Sequence, residues 1–375
     1  MNKKLIWSVL AIVIIAVIIS LVRKNASKGP SEVFTTEPIK IGAVLSLSGD
    51  AAPWGESSKN GIALAAKTIN AAGGINGRMV EVVTEDDHTD GKTAVSAYNK
   101  LVNVDHVSGV IGSVFDFTTQ PLLPLAETNH VALITPPNFR IPGSFDLGSQ
   151  SFTMLINFDD MVRYYKAFLG QNKIKRLAIV HYTSTWGVEI SKVMGEIMTS
   201  YGKPKPIEET YLHIGGNDFK TVILKLKSEG VDTVFFDMLG DDSVNFLKRS
   251  KELGFTPTML TYTGALESFG QEKDKSLIEN VAVVNWEITS PQFNALYQKE
   301  YGKPAGKSAD KAFDALYVMA TAIADSTSTA DVASYIANHS FVTPNANITF
   351  TTDHTVNSTP VEIDIIKNGV PVPWK

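Results

Sequence analysis

The sequence predicts an α/β protein with two doubly wound parallel-sheet lobes. Three observations carry this. The chain has 375 residues, too many for one ordinary domain. Short apolar runs that read as strands alternate with amphipathic runs that read as helices. That alternation pauses and restarts near the middle of the chain, which makes two βαβ series rather than one.

The first series opens at Ile39. "IKIGAVLSL" is an apolar strand that ends in "SGD". "GIALAAKTINAAGG" is helical, with Ile62, Ala65, Ala66 and Ile69 on one face and the paired glycines as its stop. "MVEVVTED" is a strand and "TAVSAYNKLVN" a helix. "VSGVIGS" is a strand, "TQPLLPLAETN" a short helix with Pro121 and Pro124 near its start, and "HVALITP" a strand. The second series follows "SFTMLINFDD". "RLAIVHY" is a strand, and "WGVEISKVMGEIMTSYG" is a helix closed by Gly202. "FKTVILKLKSEG" places Phe219, Val222, Ile223 and Leu226 on one face. "VDTVFFDML" is a strand, "DDSVNFLKRSKELG" a helix, and "TPTMLTYTG" and "VAVVNWEI" are strands. "SADKAFDALYVMATAIADS" is a long apolar-faced helix, and the tail "VEIDIIKNGVPVPWK" holds a last strand and a turn.

Composition narrows the function. Hydrophobic residues are 44% of the chain and charged residues 19%, enough apolar content for sizeable cores. The formal net charge is −5, and the first 24 residues carry four positive charges and no acid, so the rest stands at about −9. A diffuse acidic balance argues against nucleic acid as a partner. The absence of cysteine excludes disulfides, zinc–thiolate sites, a thiol nucleophile and a cysteine-borne lipid anchor.

"MNKK" precedes an uncharged apolar run from Leu5 to Val22, and "RKNASKGPSE" follows it. A cleavable signal core is about 7–15 residues long, whereas about 20 apolar residues span a bilayer. An uncleaved membrane anchor over 1–24 is therefore favoured over a cleaved signal, with a linker over 25–38. Either reading puts the bulk of the protein outside the cytoplasm.

In open parallel sheets ligands bind beyond the carboxyl ends of the strands. Those ends are "SLSGD", "SVFDFTT", "TPPNF", "HYTSTWG", "DMLGDD" and "TYTGALES". Trp54, Phe115, Phe117, Phe139, Tyr182 and Trp186 lie in or just after them. One aromatic alone reads as core; six at strand ends read as the wall of a small-molecule pocket.

Catalytic patterns are missing. There is no G-x-S-x-G elbow and no phosphate loop. "GGINGR" follows a helix, not a strand, and reads as a helix stop and turn. "EDDHTD", Glu85 to Asp90, is the best candidate for a hard cation, but reads more simply as a solvated loop with Asp90 capping the next helix. No cofactor and no metal are expected.

The order of these stretches resembles the extracytoplasmic solute-binding proteins of branched-chain amino acid type ABC importers, in the type I periplasmic binding protein superfamily. The stretches are "IKIGAVLSLSGDAAPWGES", "GIALAAKTINAAGGINGR", "VSGVIGSVFDFTTQPLLPLAE", "ALITPP", "RLAIVHYTSTWG" and "FKTVILKLKSEGVDTVFF". The resemblance implies two discontinuous lobes joined by a three-strand hinge: 39–153 with 287–341, and 154–286 with 342–375. It implies no catalysis, a small solute held between the lobes, and an ABC permease as membrane partner. A membrane-tethered ligand-sensing receptor of the same fold is the alternative.

The implied ligand-binding positions are Ser48, Trp54, Phe115, Asp116 and Thr118 in the first half. Pro137, Asn138 and Phe139 follow the fourth strand, and Tyr182, Trp186, Leu239 and Thr263 come from the second series. The family usually grips a substrate carboxylate with a Ser/Thr run after the third strand. Here the matching run is Phe115, Asp116, Phe117, Thr118 and Thr119. An acid that usually pairs with the ligand amine is expected near "TYTG", where this chain has Thr263, with Glu267 four residues on. Asp116 is thus either an N-cap for its own helix or a cleft acid for a cationic or hydrogen-bond-donating ligand. Both readings disfavour a simple branched-chain amino acid.

Overall fold

The protein is described by a computed structural model over residues 37–374, except 50, 137–145, 156–157, 172, 213–214, 239, 271–273, 286–288 and 358–360. The apolar segment 1–24 and nearly all of the linker 25–38 lie outside the described residues. Among the described residues no helix is long and apolar enough to cross a membrane.

The first sheet holds β1 (Ile39–Leu45), β2 (Val80–Asp86), β3 (Val110–Ile111), β4 (Leu133–Thr135) and β5 (Ser151–Thr153), in the order β2-β1-β3-β4-β5. All four pairings are parallel. The connections carry α1 (Ala52–Ala71), α2 (Gly91–Asn103), the four-residue helix α3 (Asp116–Thr119) and α4 (Leu123–Asn129). Strand β1 shows why both faces are covered. Ile39, Ile41, Ala43 and Leu45 alternate into one apolar core, and Val44 enters a second core with Tyr98 and Leu101 of α2.

The second sheet holds β6 (Leu177–Tyr182), β7 (Ile207–Tyr211), β8 (Thr233–Asp237), β9 (Thr258–Tyr262), β10 (Ala282–Asn285), β13 (Glu362–Lys367) and β14 (Val370–Pro373). Its order is β14-β13-β10-β9-β8-β6-β7. Strands β6 to β10 are parallel, with α5 (Phe158–Gln171), α6 (Thr185–Ser200), α7 (Lys220–Ser228) and α8 (Asp242–Glu252) between and around them. The sheet is not parallel throughout, as the sequence had suggested. Asn368 and Gly369 adopt φ of 53° and 74°, the geometry of a tight two-residue turn, so β13 and β14 form an antiparallel hairpin that ends the sheet.

The chain then returns to the first core. After β10 come α9 (Pro291–Tyr301), α10 (Ala309–Asp325), α11 (Val332–Asn338) and the short antiparallel pair β11 (Phe341–Val342) and β12 (Asn347–Ile348). Helix α10 is buried over most of its length and lies on α1, where a Cβ at Gly61 would stand 2.0 Å from the carbonyl oxygen of Ala309. Only glycine permits that approach.

Two features differ from the sequence expectation. Helices α5, α9 and α11 and strands β5, β7, β11, β12 and β14 are additional elements. In α5, Phe158, Met161, Tyr165 and Phe168 recur at helical spacing and are buried in the core of the second sheet. The last crossover also comes later than residue 342. Ile348 and Val356 pack in the first core, Val356 N–H donates to Leu155 C=O at 3.1 Å, and the chain rejoins the second sheet only at Glu362.

Candidate functional site

Strand order locates the site. In the first sheet the order reverses between β1 and β3. In the second it reverses between β6 and β8, on the same pattern. Crevices at such switch points, beyond the carboxyl ends of the strands, are where open α/β sheets bind ligands. The segments leaving these four strands carry Trp54, Asp116, Trp186 and Asp237.

On the first side, the chain leaves β3 and enters α3 within a few residues. Thr118 is buried, and its hydroxyl donates to the carbonyl of Phe115 at 3.0 Å and accepts the Phe115 N–H at 3.4 Å. Thr118 therefore secures the helix start and is occupied locally. Phe115 is the capping residue and Asp116 the first helical residue, so the N-cap reading of Asp116 does not hold. Its Oδ1 accepts the N–H of Phe117 at 2.9 Å. Its Oδ2 is buried with no hydrogen-bond partner among the described residues. Burial pushes this carboxyl above its ordinary range, against the pull of the Phe117 and Trp186 amides. The Trp186 amide belongs to the first turn of α6, on the second sheet, so Asp116 faces the other lobe.

Aromatic rings surround that carboxylate. Phe115 lies 5.4 Å from Trp54, tilted by 56°, and stacks on Phe117 at 5.7 Å. Phe117 itself is 38% exposed. Trp54 sits in the first turn of α1, which begins at Ala52 with Pro53, two turns before the apolar stretch that marks the helix in sequence. A side chain at Gly264, after β9, would strike the Trp54 ring at 2.8 Å.

On the second side, Asp237 is the last residue of β8 and is 2% exposed. Tyr262 donates its hydroxyl to Oδ1 at 2.6 Å, and Tyr211 donates to the Asp237 carbonyl at 3.1 Å. Oδ2 is buried without a partner among the described residues, as is the hydroxyl of Tyr165. Burial raises the Asp237 carboxyl to about 6; the Tyr262 hydrogen bond and His181 oppose this, and the charge of Asp116 adds to it. Burial and the Asp237 charge likewise hold the Tyr165 and Tyr262 phenols well above their usual range. His181 is fully buried and directs Nδ1 at the Tyr182 carbonyl, 2.9 Å, and Nε2 at Glu208, 2.8 Å.

Helix α6 starts directly over this carboxylate. Ser184 caps it by accepting the Gly187 N–H at 3.0 Å. A Cβ on Gly187 would lie 2.3 Å from the Tyr182 carbonyl and 3.2 Å from Asp237 Oδ2. Trp186 packs edge-to-face on Phe158 at 5.5 Å and on Tyr262 at 5.8 Å.

Of the sequence-predicted residues, Trp54, Phe115, Asp116 and Trp186 gather here. Tyr182 lies alongside, against Tyr211 at 5.7 Å. Ser48 does not point here, since its hydroxyl donates to Asp86 at 2.7 Å. Thr263 turns away, donating to the Val284 carbonyl at 3.2 Å and to Asn285 at 3.0 Å. Pro137, Asn138, Phe139 and Leu239 lie outside the described residues, as does the side chain of Glu267. Asp237, Tyr262 and Tyr165 were not singled out in the sequence. The readable signal for Asp237 was an acid closing the fully buried strand "TVFFD".

The acidic loop after β2 is occupied otherwise. Asp86 accepts the amides of Leu47 and His88, Asp87 holds Ser113, and Asp90 caps α2 through Thr93 N–H at 2.8 Å. Among the described residues no cluster of His, Cys, Asp and Glu has the makings of a metal site.

The chain is 31% identical over 220 residues to the leucine-, isoleucine-, valine-, threonine- and alanine-binding protein of Pseudomonas aeruginosa, covering 58% of each. It is 29% identical over 226 residues to the Leu/Ile/Val-binding protein of Escherichia coli, covering 60% of this chain and 61% of that one. The matches thus span about three-fifths of the length of these curated relatives. The substrate-binding protein LivJ of a branched-chain amino acid transporter from Streptococcus pneumoniae, solved with isoleucine, has the same fold. Its TM-score is 0.79 at 22% identity, over 89% of this chain and 97% of that one. A solute-binding protein from R. palustris, solved with benzoate, gives 0.78 at 16% identity, over 90% and 95%. The sequence model described as periplasmic binding protein matches residues 38–363, and the chain belongs to that family.

Proposed function

We propose that this protein is the solute-binding component of an ABC importer. It works outside the cytoplasm and encloses a small solute between its lobes by hinge closure. The apolar run from Leu5 to Val22 supports a tether to the membrane beside the permease. The sequence of the strand-end segments carries no catalytic motif, which supports a reading of binding without catalysis.

The solute carries a cationic or hydrogen-bond-donating group and is not a simple branched-chain amino acid. The observation behind this is Asp116, an acid with one buried oxygen lacking a partner among the described residues, at the mouth of the first switch point. Isoleucine and benzoate, the ligands of the two solved structures, each carry a carboxylate. A ligand carboxylate beside Asp116 would meet a like charge in a partly dry cleft. Trp54, Phe115 and Trp186 supply the apolar and π surface such a site uses.

The test is a thermal-shift screen of the purified protein against amino acids, amides, polyamines, aromatic acids and nucleobases. A ligand that binds only the folded state raises its stability by about 2.7 kcal/mol at a hundredfold excess over Kd. A shift with a donor-bearing solute that disappears in Asp116→Ala is expected. Saturable leucine binding at low micromolar Kd, unaffected by that substitution, would refute the assignment.

A further inference from the structure

Resting on that reading, a second acid extends it. We propose that Asp116 and Asp237 are opposing jaws for one ammonium or guanidinium group, and that their repulsion holds the lobes apart until such a cation, or a proton, lies between them.

Four observations carry this. Each carboxylate leaves a switch point, Asp116 from the first sheet and Asp237 from the second. Each keeps Oδ1 engaged, by the Phe117 N–H and the Tyr262 hydroxyl, and each has a buried Oδ2 with no partner among the described residues. Both lie against the first turn of α6, Asp116 near the Trp186 amide and Asp237 Oδ2 3.2 Å from where a Cβ on Gly187 would stand, and burial raises each carboxyl. Finally, Asp237 is 2% exposed and is covered on its Oδ2 side by Gly187, where any larger residue would intrude at 3.2 Å.

The groups facing Asp237 offset its charge only in part: His181 and the Tyr262 hydrogen bond pull its carboxyl down, yet burial still leaves it raised. From β6 comes His181, with both ring nitrogens already directed at Tyr182 and Glu208. From β9 comes Tyr262, which donates to Oδ1, and β7 supplies Tyr211, which donates to the backbone carbonyl. From α5 comes Tyr165, and across the cleft Asp116. Among the described residues no lysine or arginine is paired with either carboxylate. Two buried carboxylates with no lysine or arginine paired to them favour one proton or one cation between them. Both unpartnered oxygens are acceptors, so the cation must bring N–H donors on two sides. Ammonium and guanidinium groups do; a quaternary ammonium does not.

The experiment has a ligand-free and a ligand-bound arm. Small-angle scattering of the ligand-free protein should give a larger radius of gyration at pH 8 than at pH 5, and Asp237→Asn should stay compact at both. A radius independent of pH, or a pH response that persists in Asp237→Asn, overturns the clamp. Calorimetry at pH 7.5 then uses putrescine, agmatine, lysine and arginine, with choline as the quaternary comparator. At least one of the four should bind, with affinity falling about thirtyfold or more in Asp116→Asn and in Asp237→Asn alike, and choline should not bind. Loss in Asp116→Asn with full retention in Asp237→Asn overturns the clamp but leaves the proposed function standing. Tight binding of leucine, unchanged in both variants, overturns both.

Discussion

Tyr262 donates its hydroxyl hydrogen to Asp237 at 2.6 Å, and the two side chains lie buried at the ends of adjacent strands β9 and β8. The bond stabilises the ionised form of an acid that burial otherwise disfavours. Tyr262→Phe should therefore cost about 1–3 kcal/mol, the penalty for leaving a buried acceptor unsatisfied. The loss should be larger at pH 7.5 than at pH 4.5, because the bond matters most to the carboxylate. Urea denaturation at the two pH values checks this, and an equal loss at both would contradict it.

Gly187 tests how closely α6 is docked. A methyl group there meets the Tyr182 carbonyl at 2.3 Å and His181 Nδ1 at 2.4 Å. Gly187→Ala should destabilise by about 1–3 kcal/mol through overpacking and should displace Trp186 from the cleft wall. Loss of thermal stability together with a shift of tryptophan emission is the expected readout. An unchanged melting temperature would mean that the helix start yields freely.

Stability should fall as pH rises from about 4 to about 8. The carboxyl groups of Asp237 and Asp314 are raised from 3.8 to about 6 and about 7, burial being the first cause in each. A raised carboxyl contributes stability that is complete below its unfolded value and is lost as pH climbs through the folded one. The shift at Asp237 corresponds to roughly 3 kcal/mol. Asp237→Asn should flatten the profile near pH 6 and leave the Asp314 portion near pH 7. Melting temperatures across this range, in wild type and variant, would expose a wrong assignment if the two curves ran parallel.

Gly61 lies where α1 crosses α10. Its missing Cβ would stand 2.0 Å from the Ala309 carbonyl. Gly61→Ala should push the helices apart at a cost of about 1–3 kcal/mol, against the usual gain for alanine in a helix. Chemical denaturation measures the sign directly, and a stabilised variant would show that the contact is not tight.

Much of the frame was legible in the residues. Strand β1 alternates Ile39, Ile41 and Ala43 on one face, and α2 shows its Asp90 cap and a Tyr98–Leu101 face, because local periodicity and capping act over a few residues. The two βαβ series and the aromatic character of the strand ends follow from the same short-range pattern. Helix α5 was harder, since its apolar positions follow directly on a strand, and so Tyr165 went unnoticed. The division of labour among polar side chains was not legible. Thr118 and Thr263 have the right chemistry for a ligand but are consumed by nearby carbonyls, whereas Asp237 ends an apolar strand and looks like a turn residue until Tyr262 is placed beside it. Local periodicity encodes most of the strands and helices, the acid after β3 and the aromatics at the strand ends. That Asp116 comes to lie beside the first turn of α6, and that Asp237 is buried under Gly187, was settled by the tertiary structure, because strand order and lobe packing are sums of weak long-range contacts that no local stretch encodes.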